Sequence, residues 1–274
     1  MPELPEMFDL TGRVAVVTGG AGLLGRQFCS TLAEAGAQVV VVDIDGTSAD
    51  ALAGKLTQAG FQALSVQTDI SRPDSVEEMA KKTLETFKHL DILVNSAALD
   101  PKFDQENIDK QGANAFESFP LEAWNQALAV NLTGMFLCSQ AASKPMLKQG
   151  KGVMINICST YGLGGPDQRI YQREGQPPSF KPVTYTVTKA GVLGLTKYLA
   201  TYYAGKDIRV NALTPGGVFV DHDDTFVKAY SARTVLGRMA ERTEMNGALL
   251  FLASDASSYM TGANLVVDGG WTAW

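Results

Sequence analysis

The sequence contains few of the residues that build disulfide frameworks and metal centres. Among its 274 residues are three cysteines and two histidines. No two of the cysteines, Cys29, Cys138 and Cys158, have the spacing of metal ligands, and an odd number argues against a disulfide framework. We therefore expect three small buried side chains in a reducing, cytoplasmic compartment, and no bound metal.

Long hydrophobic runs and an excess of basic residues are also missing. No stretch approaches the ~18 uninterrupted apolar residues of a membrane-spanning helix, and residues 1–10 lack the basic start and apolar run of a signal peptide. With 23 Lys and Arg against 29 Asp and Glu, the formal net charge is -6, which disfavours general nucleic-acid binding. These absences leave a small molecule as the expected partner, rather than a membrane or a nucleic acid.

Apolar, β-rich segments alternate with helical patterns along the chain. Strands are predicted for residues 13–17, 38–42, 62–67, 91–94, 153–157, 209–213 and 264–267. Helices are predicted for residues 23–35, 47–59, 71–87, 121–148, 183–203 and 241–252, with Pro145 ending or kinking the fourth. The alternation predicts an α/β protein, a single-domain Rossmann-type fold with a doubly wound parallel sheet. In this interpretation residues 1–10 are an N-terminal tail and residues 11–274 form one catalytic domain.

Three polar segments do not fit the alternation or follow its strands, at about residues 100–120, 162–182 and 218–238. Long loops inside a compact domain are usually functional. Folds of this kind bind their ligands beyond the carboxyl ends of the strands. We therefore expect the three segments to frame a substrate site.

A glycine-rich turn joins the first predicted strand to the first predicted helix. Gly19, Gly22 and Gly25 allow the backbone to turn sharply and to approach a pyrophosphate, which a helix N-terminus attracts. Asp43 ends the second strand, at the position of a carboxylate that accepts the adenosine ribose hydroxyl. Because that carboxylate would repel the 2′-phosphate of NADP, the pattern predicts NAD as the cofactor.

Tyr185 and Lys189 lie four residues apart on a predicted helix, which places both side chains on one face. A free tyrosine, with a pKa near 10, is a poor base at neutral pH. Lowering that pKa to about 7–8 needs ~3–4 kcal/mol, and an ammonium about 4 Å away supplies ~4 kcal/mol at an effective dielectric near 20. Ser159, directly after the fifth strand, is placed to hydrogen-bond a substrate oxygen. The pattern predicts acid/base chemistry at Tyr185.

Together these motifs resemble those of the short-chain dehydrogenases/reductases over nearly the whole chain. The matching pieces are residues 18–25, Asp69-Ile70, residues 95–98, Asn131, Ser159, Tyr185-x-x-x-Lys189 and residues 215–218. The resemblance implies that Tyr185 is the general acid/base and that Ser159 positions the reacting oxygen. It also implies that Lys189 holds the nicotinamide ribose and that Asn131 supports a water relay to solvent.

The same resemblance implies which residues contact the cofactor. Asp69 and Ile70 would bracket the adenine, and the backbone of Val218 would meet the carboxamide. The full set of expected cofactor contacts is Gly19, Gly22, Leu24, Gly25, Asp43, Asp69, Ile70, Asn95, Ala97, Tyr185, Lys189, Pro215 and Val218. Family members often form homotetramers, so we expect a homo-oligomer in which the apolar tail, residues 271–274, packs at an interface.

The chain departs from the family pattern in three places. The usual glycine spacing is TGxxxGxG, whereas Gly19, Gly22 and Gly25 have a spacing more common in the epimerase-like branch. Residues 95–98 read Asn-Ser-Ala-Ala instead of Asn-Asn-Ala-Gly, and Val220 stands where a Thr contacts the cofactor. A sugar-nucleotide epimerase is therefore an alternative, although 274 residues leave no room for that branch's substrate domain.

The segment at 162–182 has the composition expected around a hydrophilic substrate. Arg169 and Arg173 are candidates to grip a carboxylate in a charge-assisted pair. The Pro-Asp-Gln-Arg stretch that ends at Arg169 is similar to one in sugar- and gluconate-type members of the family. We predict a polyhydroxylated substrate, such as a sugar or sugar acid, contacted by Ser159, Tyr161, Arg169 and Arg173.

Two further functions stay open. A carrier-linked or CoA-linked 3-oxoacyl reductase is the alternative enzyme, because many relatives have that activity. A non-catalytic, NAD-sensing protein is the alternative without chemistry, and the presence of both Tyr185 and Lys189 disfavours it.

Overall fold

The computed structural model of the protein describes residues 3–99 and 114–274. Its strands are β1 (Val14–Thr18), β2 (Gln38–Asp43), β3 (Ala63–Gln67), β4 (Ile92–Asn95), β5 (Lys151–Ile157), β6 (Asp207–Pro215) and β7 (Asn264–Val267). They form a seven-stranded sheet in the order β3-β2-β1-β4-β5-β6-β7, and each neighbouring pair is parallel. The predicted fold class, a single-domain Rossmann-type doubly wound parallel sheet, is confirmed.

Helices cover both faces of this sheet. They are α1 (Leu23–Glu34), α2 (Gly46–Gln58), α3 (Pro73–Phe87), α4 (Leu121–Leu128), α5 (Met135–Gln149), α6 (Val183–Tyr202), α7 (Asp224–Ser231) and α8 (Asn246–Ala253). Ala15 and Val17 of β1 join the core formed with α1, α2 and α8, whereas Val14 and Val16 join the core formed with α3, α5 and α6. Burial on both faces explains why the strands read as continuous apolar runs.

The helix predicted after residue 121 does not end at Pro145, one of the two outcomes expected there. Pro145 is buried inside α5, which continues to Gln149. The irregularity lies instead at Ala129–Gly134, a π-helical turn between α4 and α5. Proline removes one backbone hydrogen bond, and the burial of neighbouring side chains such as Met146 against the sheet offsets that loss.

The third predicted loop contains a helix that the sequence analysis missed. Within 218–238, α7 buries Phe226 and Tyr230, whose four-residue spacing is the signal that could have revealed it. The helix predicted from residue 241 begins only at Asn246 as α8. Glu244 first closes a turn, because its carboxylate accepts the backbone N–H of Glu241 at 2.8 Å.

The predicted bounds of two segments, the loop at 100–120 and the N-terminal tail, remain untested. Of the loop predicted at 100–120, residues 100–113 lie outside the described residues. At the predicted end of the N-terminal tail, Leu10 is fully buried, and its N–H donates to the carbonyl of Ala35. The boundary at residue 10 stays a prediction.

The described residues contain neither a candidate membrane span nor a candidate metal cluster. Within residues 3–99 and 114–274, no helix is long and apolar enough to cross a membrane. The same residues contain no group of three or more His, Cys, Asp and Glu that could hold a metal ion. The three cysteines are buried, and burial raises the pKa of Cys138 to about 12.

The strand order determines at which point along the sheet edge a ligand can bind. β1 pairs with β2 on one side and with β4 on the other, so the chain reverses direction across the sheet at β1. A crevice opens at the carboxyl ends of the strands where such a reversal occurs. The loops after β1 and β4 meet there, since Ala97 donates its N–H to Thr18 Oγ1.

Candidate active site

The turn after β1 is shaped by glycines that no other residue could replace without a clash. Gly19 has a φ of +64°, and a Cβ there would lie 2.7 Å from the Cα atom of Ala97. A Cβ on Gly25 would overlap the carbonyl oxygen of Gly19. The loop therefore folds tightly back on the first turn of α1, which leaves the backbone open to a close-approaching ligand.

The N-terminus of α1 points into the crevice behind this loop. Gly22 is its N-cap, with Leu24 in the first turn, and among the described residues no side chain hydrogen-bonds to the cap. Unpaired N–H groups and the helix dipole make such an end a binding site for a phosphate. The cradle therefore fits the pyrophosphate of a dinucleotide.

We expect Gly25→Ala to destabilise the protein by about 1–3 kcal/mol, because the added methyl group forces the loop away from α1. Urea unfolding measures this loss, and a fluorescence titration with NAD measures the accompanying fall in affinity. Gly54→Ala is the matched control, since Gly54 lies on exposed α2 and a Cβ there meets nothing within 4 Å. Equal stability of the two variants would contradict the close packing of the loop.

Asp43 stands at the end of β2, directly beside the glycine turn. Its Oδ2 atom accepts the N–H of Ala21 at 3.0 Å, and its Oδ1 atom accepts the N–H of Asp45 at 3.1 Å. These bonds hold the carboxylate next to the pyrophosphate cradle. The placement fits a ribose whose hydroxyls meet an acidic acceptor.

Tyr185 and Lys189 lie on one face of α6, as the spacing predicts. The helix begins after Pro182, which puts Tyr185 in its first turn. Lys189 is only 4% exposed, and its Nζ atom donates to the carbonyl oxygen of Ile157 at 2.8 Å. That Nζ atom lies 5.8 Å from the centroid of the Tyr185 ring. The structure thus brings a fixed positive charge to the half-buried tyrosine.

Other tyrosines surround Tyr185 but are poor bases. Tyr161 meets the Tyr185 ring edge-on at a centroid distance of 6.3 Å, and its hydroxyl receives a hydrogen bond from Tyr171 at 2.8 Å. Burial raises the pKa of Tyr161, and burial raises the pKa of Tyr230 to about 12. Since ammonium groups favour a nearby phenolate, Tyr185 is the tyrosine of this cluster suited to proton transfer.

Ser159 and Asn131 approach the same helix from β5 and from the π-helical turn. Ser159 is buried after the end of β5, and its Oγ atom accepts the N–H of Tyr161 at 3.2 Å. The Asn131 amide donates to Thr188 on α6 at 3.1 Å and to the carbonyl of Leu99 at 3.2 Å. The π-helical turn therefore directs Asn131 toward the Tyr185 side of α6, and its predicted part in a water relay stays a prediction.

The remaining predicted cofactor contacts line the same edge of the sheet. Ala97 donates its N–H to Thr18 Oγ1 at 3.2 Å, which joins the ends of β1 and β4. Asp69 caps the turn before α3 by accepting the hydroxyl of Ser71 at 2.6 Å, and Ile70 beside it is buried.

Asn95, Pro215 and Val218 complete this set. Asn95 is buried, and its amide donates to Ser139 and Asn156, so its side chain ties β4 to β5 and α5. Pro215 ends β6, and Val218 forms a parallel bridge with Ala240. Their contacts with a cofactor stay predictions.

The two arginines predicted to bind substrate are held by aspartates of the protein itself. Arg169 donates from Nε and Nη2 to the two oxygens of Asp167, at 2.8 and 2.7 Å, and its side chain is 85% exposed. Arg173 donates to Asp223 at 2.7 Å. Arg233, which the sequence analysis did not single out, also binds Asp167, at 2.6 Å. These ion pairs tie the 162–182 loop to the α7 region.

An aromatic wall that the sequence did not reveal lies beneath this loop. Its buried members form one cluster that touches Tyr185: Tyr161, Ile170, Tyr171, Phe226, Tyr230, Met239 and Trp271. The Trp271 ring stacks on Tyr230 at a centroid distance of 4.2 Å. The loop is thus polar on its outer side and apolar toward the crevice.

Several known proteins are similar to this chain over nearly its whole length. A family model described as enoyl-(acyl carrier protein) reductase matches residues 20–272. The chain is 36% identical over 270 residues to the cis-4-hydroxycyclohexanecarboxylate dehydrogenase of Sinomonas cyclohexanicum, covering 95% of this chain and 97% of that protein. It is 34% identical over 268 residues to a 3-oxoacyl-(acyl-carrier-protein) reductase of Synechocystis, covering 96% of this chain and 98% of that protein.

A solved structure is also similar to this chain. A gluconate 5-dehydrogenase from Burkholderia cenocepacia, in complex with NADP and tartrate, matches with a TM-score of 0.84 and 30% identity. The match covers 99% of this chain and 100% of that chain.

Proposed function

The chain belongs to the short-chain dehydrogenase/reductase family of oxidoreductases, and we propose that it is an NAD-dependent enzyme that interconverts a secondary alcohol and a ketone. The observation that carries this proposal is that the Lys189 ammonium lies 5.8 Å from the Tyr185 ring on α6. Ser159 follows β5, and its Oγ atom accepts the N–H of Tyr161, whose ring meets the Tyr185 ring edge-on. A proton acceptor, a fixed cation and a hydroxyl at one place suit the removal of a proton from an alcohol.

In the oxidation direction, the Oη atom of Tyr185 takes the proton of the substrate hydroxyl. A nicotinamide cofactor, when bound, would accept the hydride that leaves the carbinol carbon, so that the alcohol loses one proton and one hydride and becomes a ketone. Lys189, held by the carbonyl of Ile157, stabilises the tyrosinate before the proton arrives. Ser159 hydrogen-bonds the reacting oxygen and keeps it within reach of Tyr185. Asn131 joins α6 to the β4 loop through Thr188 and Leu99, and in this proposal it supports a water relay to solvent.

We further propose that the substrate is polyhydroxylated, such as a sugar or sugar acid. Support comes from the likeness to a gluconate 5-dehydrogenase solved in complex with NADP and tartrate. The second candidate is a 3-oxoacyl reductase, which the 34% identity to a reductase of that name favours.

Turnover on a defined panel distinguishes these functions. The purified protein is assayed with NAD and NADP against gluconate and other sugar acids, polyols and 3-hydroxyacyl thioesters, with release of reduced cofactor as the readout. The proposal expects NADH formation with a sugar acid or polyol. Highest kcat/KM on a thioester would favour the reductase. Release of no reduced cofactor from any alcohol, despite NAD binding, would favour a sensing protein or an epimerase.

We also propose that the protein assembles as a homotetramer through its C-terminal tail. Trp271 is packed inside its own subunit, whereas Trp274 is 76% exposed, although its Nε1 atom donates to the carbonyl of Arg233 at 3.2 Å. Exposed aromatic surface of this kind is typical of an interface. Trp274→Ala should therefore lower the apparent mass in sizing and light-scattering experiments without disturbing the aromatic wall. An unchanged mass would remove the tail from the interface.

A further inference from the structure

Tyr230 joins two turns at the carboxyl edge of the sheet, and none of the motifs that resemble the family includes it. One turn, residues 216–218, follows β6, and the other, residues 158–160, follows β5. The two turns are neighbours because β5 and β6 pair in parallel as far as Ile157 and Leu213. A side chain that binds to both turns therefore sets the distance between them.

The hydroxyl of Tyr230 is the partner of a backbone group in the turn after β6. It accepts the N–H of Gly217, while the carbonyl of Gly217 accepts the N–H of Ala240 at 2.9 Å. A Cβ on Gly217 would lie 2.5 Å from the Cζ atom of the Tyr230 ring, so a glycine is needed for this close approach. The tyrosine hydroxyl thus satisfies the backbone donor of Gly217 and holds the turn against the ring.

The same hydroxyl also reaches the turn after β5. Burial raises the pKa of Tyr230 to about 12, and hydrogen bonds with the Gly217 backbone and the Thr160 side chain act in the opposite direction. Thr160 is buried and directly follows Ser159. One buried hydroxyl therefore links the residue beside Ser159 to the turn after β6.

The ring of Tyr230 has little freedom to move. It is 4% exposed, stacks on Trp271 at a centroid distance of 4.2 Å and packs against Phe226 at 5.9 Å. Trp271 in turn meets Tyr161 edge-on at 6.3 Å, and Tyr161 meets Tyr185 in the same way. The hydroxyl of Tyr230 is therefore held at a fixed place relative to Tyr185.

The helix that carries Tyr230 is anchored near both ends to the loop before α6. Arg173 of that loop binds Asp223, the N-cap of α7, at 2.7 Å. Arg233, two residues after α7, binds Asp167 of the same loop at 2.6 Å. The two ion pairs hold α7 in the place from which its last turn reaches the sheet edge.

The strand order indicates which end of a dinucleotide lies near this turn. The glycine cradle follows β1 and Asp43 ends β2, whereas β4 and β5 separate both of them from β6. A dinucleotide with its pyrophosphate at the cradle and its adenosine ribose at Asp43 therefore extends its nicotinamide end toward β5 and β6. The turn at 216–218 lies in that direction.

We propose that Tyr230 is a positioning residue, whose hydroxyl holds the turn after β6 where it meets the nicotinamide end of the cofactor beside Ser159 and Tyr185. This inference rests on the proposed NAD-dependent function and adds to it a residue outside the recognised motifs. Tyr230 acts through the turn at 216–218 and not by contact with the reacting atoms. Loss of its hydroxyl should therefore weaken the binding of the nicotinamide end and spare the adenosine end.

The test compares NADH with ADP-ribose, which contains the adenosine and the pyrophosphate but lacks the nicotinamide ring. Tyr230→Phe removes the hydroxyl and keeps the stacked ring. It should raise the Kd for NADH by about 3- to 10-fold, the effect of one lost hydrogen bond, and change the Kd for ADP-ribose by less than about 2-fold. Calorimetric titration measures both Kd values.

Two further variants make the comparison specific. Gly217→Ala should give the same pattern as Tyr230→Phe, because its methyl group would force the turn away from the Tyr230 ring. Tyr203→Phe is the matched control, since Tyr203 is also buried but lies in the core formed with α3, α5 and α6. Its replacement should leave both Kd values unchanged.

Three outcomes would overturn the inference and leave the oxidoreductase function intact. The first is an equal rise in the Kd values for both ligands in Tyr230→Phe, which would show a general disturbance of the site. The second is no change in either value, even with a lower melting temperature, which would confine Tyr230 to the stability of α7. The third is equal affinity of the wild type for NADH and ADP-ribose. Wild-type protein that binds neither ligand would remove the proposed NAD-dependent function, and the inference with it.

Discussion

Tyr185→Phe is expected to lower kcat by about 10²- to 10⁴-fold, the usual loss when a general acid/base is removed, with little change in NAD affinity. The substitution deletes one oxygen and keeps the ring, so the edge-on contact with Tyr161 persists. Lys189 remains in place because its Nζ atom is held by the carbonyl of Ile157. Stopped-flow measurement of NADH formation gives kcat, and a binding titration gives the affinity.

Tyr198→Phe is the control for this experiment. Tyr198 lies on the same helix, is 62% exposed and stacks on Tyr202, so loss of its hydroxyl should leave turnover unchanged. Retention of more than about a tenth of the activity in Tyr185→Phe would be too small a loss for an acid/base and would exclude that role. Tyr161 and Tyr230 would then be the neighbouring tyrosines left for the acid/base role. Both are poor bases, since burial raises their pKa values.

Asp43→Asn is expected to shift the ratio of kcat/KM values from NAD toward NADP by about 100- to 1000-fold. Loss of a charged hydrogen bond to the ribose weakens NAD by ~1.5–3 kcal/mol, and removal of one negative charge relieves repulsion of the 2′-phosphate. Asparagine keeps one side-chain oxygen, so an acceptor for the N–H of Ala21 remains. Arg26 lies close by, with its Nε atom bonded to the carbonyl of Ala21 at 2.5 Å, and its charge favours the phosphate once Asp43 is neutral.

Asp45→Asn serves as the matched control for the cofactor experiment. Asp45 lies two residues further along, and its Oδ1 atom caps α2 by accepting the N–H of Ser48 at 3.1 Å. Its replacement should lower stability slightly and leave the preference nearly unchanged. The similar gluconate 5-dehydrogenase was solved in complex with NADP. The cofactor preference of the wild-type protein is therefore measured in the same assay. Equal or higher kcat/KM with NADP would overturn the assignment to NAD.

Much of the fold could be predicted from short-range patterns. The valines of β2 indicated a strand buried on both faces, and the glycines at 19, 22 and 25 indicated a tight turn into a helix. Tyr185 and Lys189 could be placed on one helix face from a spacing of four residues. Each of these inferences depends on residues that are neighbours along the chain.

Other features escaped because packing overrides local preference. Pro145 marks a helix end in isolation, but buried side chains on both sides of it keep α5 continuous. The polar residues around Phe226 and Tyr230 obscured the helical pattern of α7. The helix is stabilised because these two side chains pack into the aromatic wall. The apolar lining of the crevice was hidden for the same reason, since its members come from segments that are distant along the chain.

By itself, the sequence determined the class of fold, and it predicted the dinucleotide cradle and the reacting tyrosine, which stay predictions. The tertiary structure decided which charged side chains meet. Arg173 binds Asp223, 50 residues away, and Arg233 binds Asp167, 66 residues away, while Lys181 lies on the ring of Tyr185. The helical period and turn chemistry fix the positions of residues close in sequence. The partner of a long charged side chain depends instead on which distant segment the sheet brings beside it.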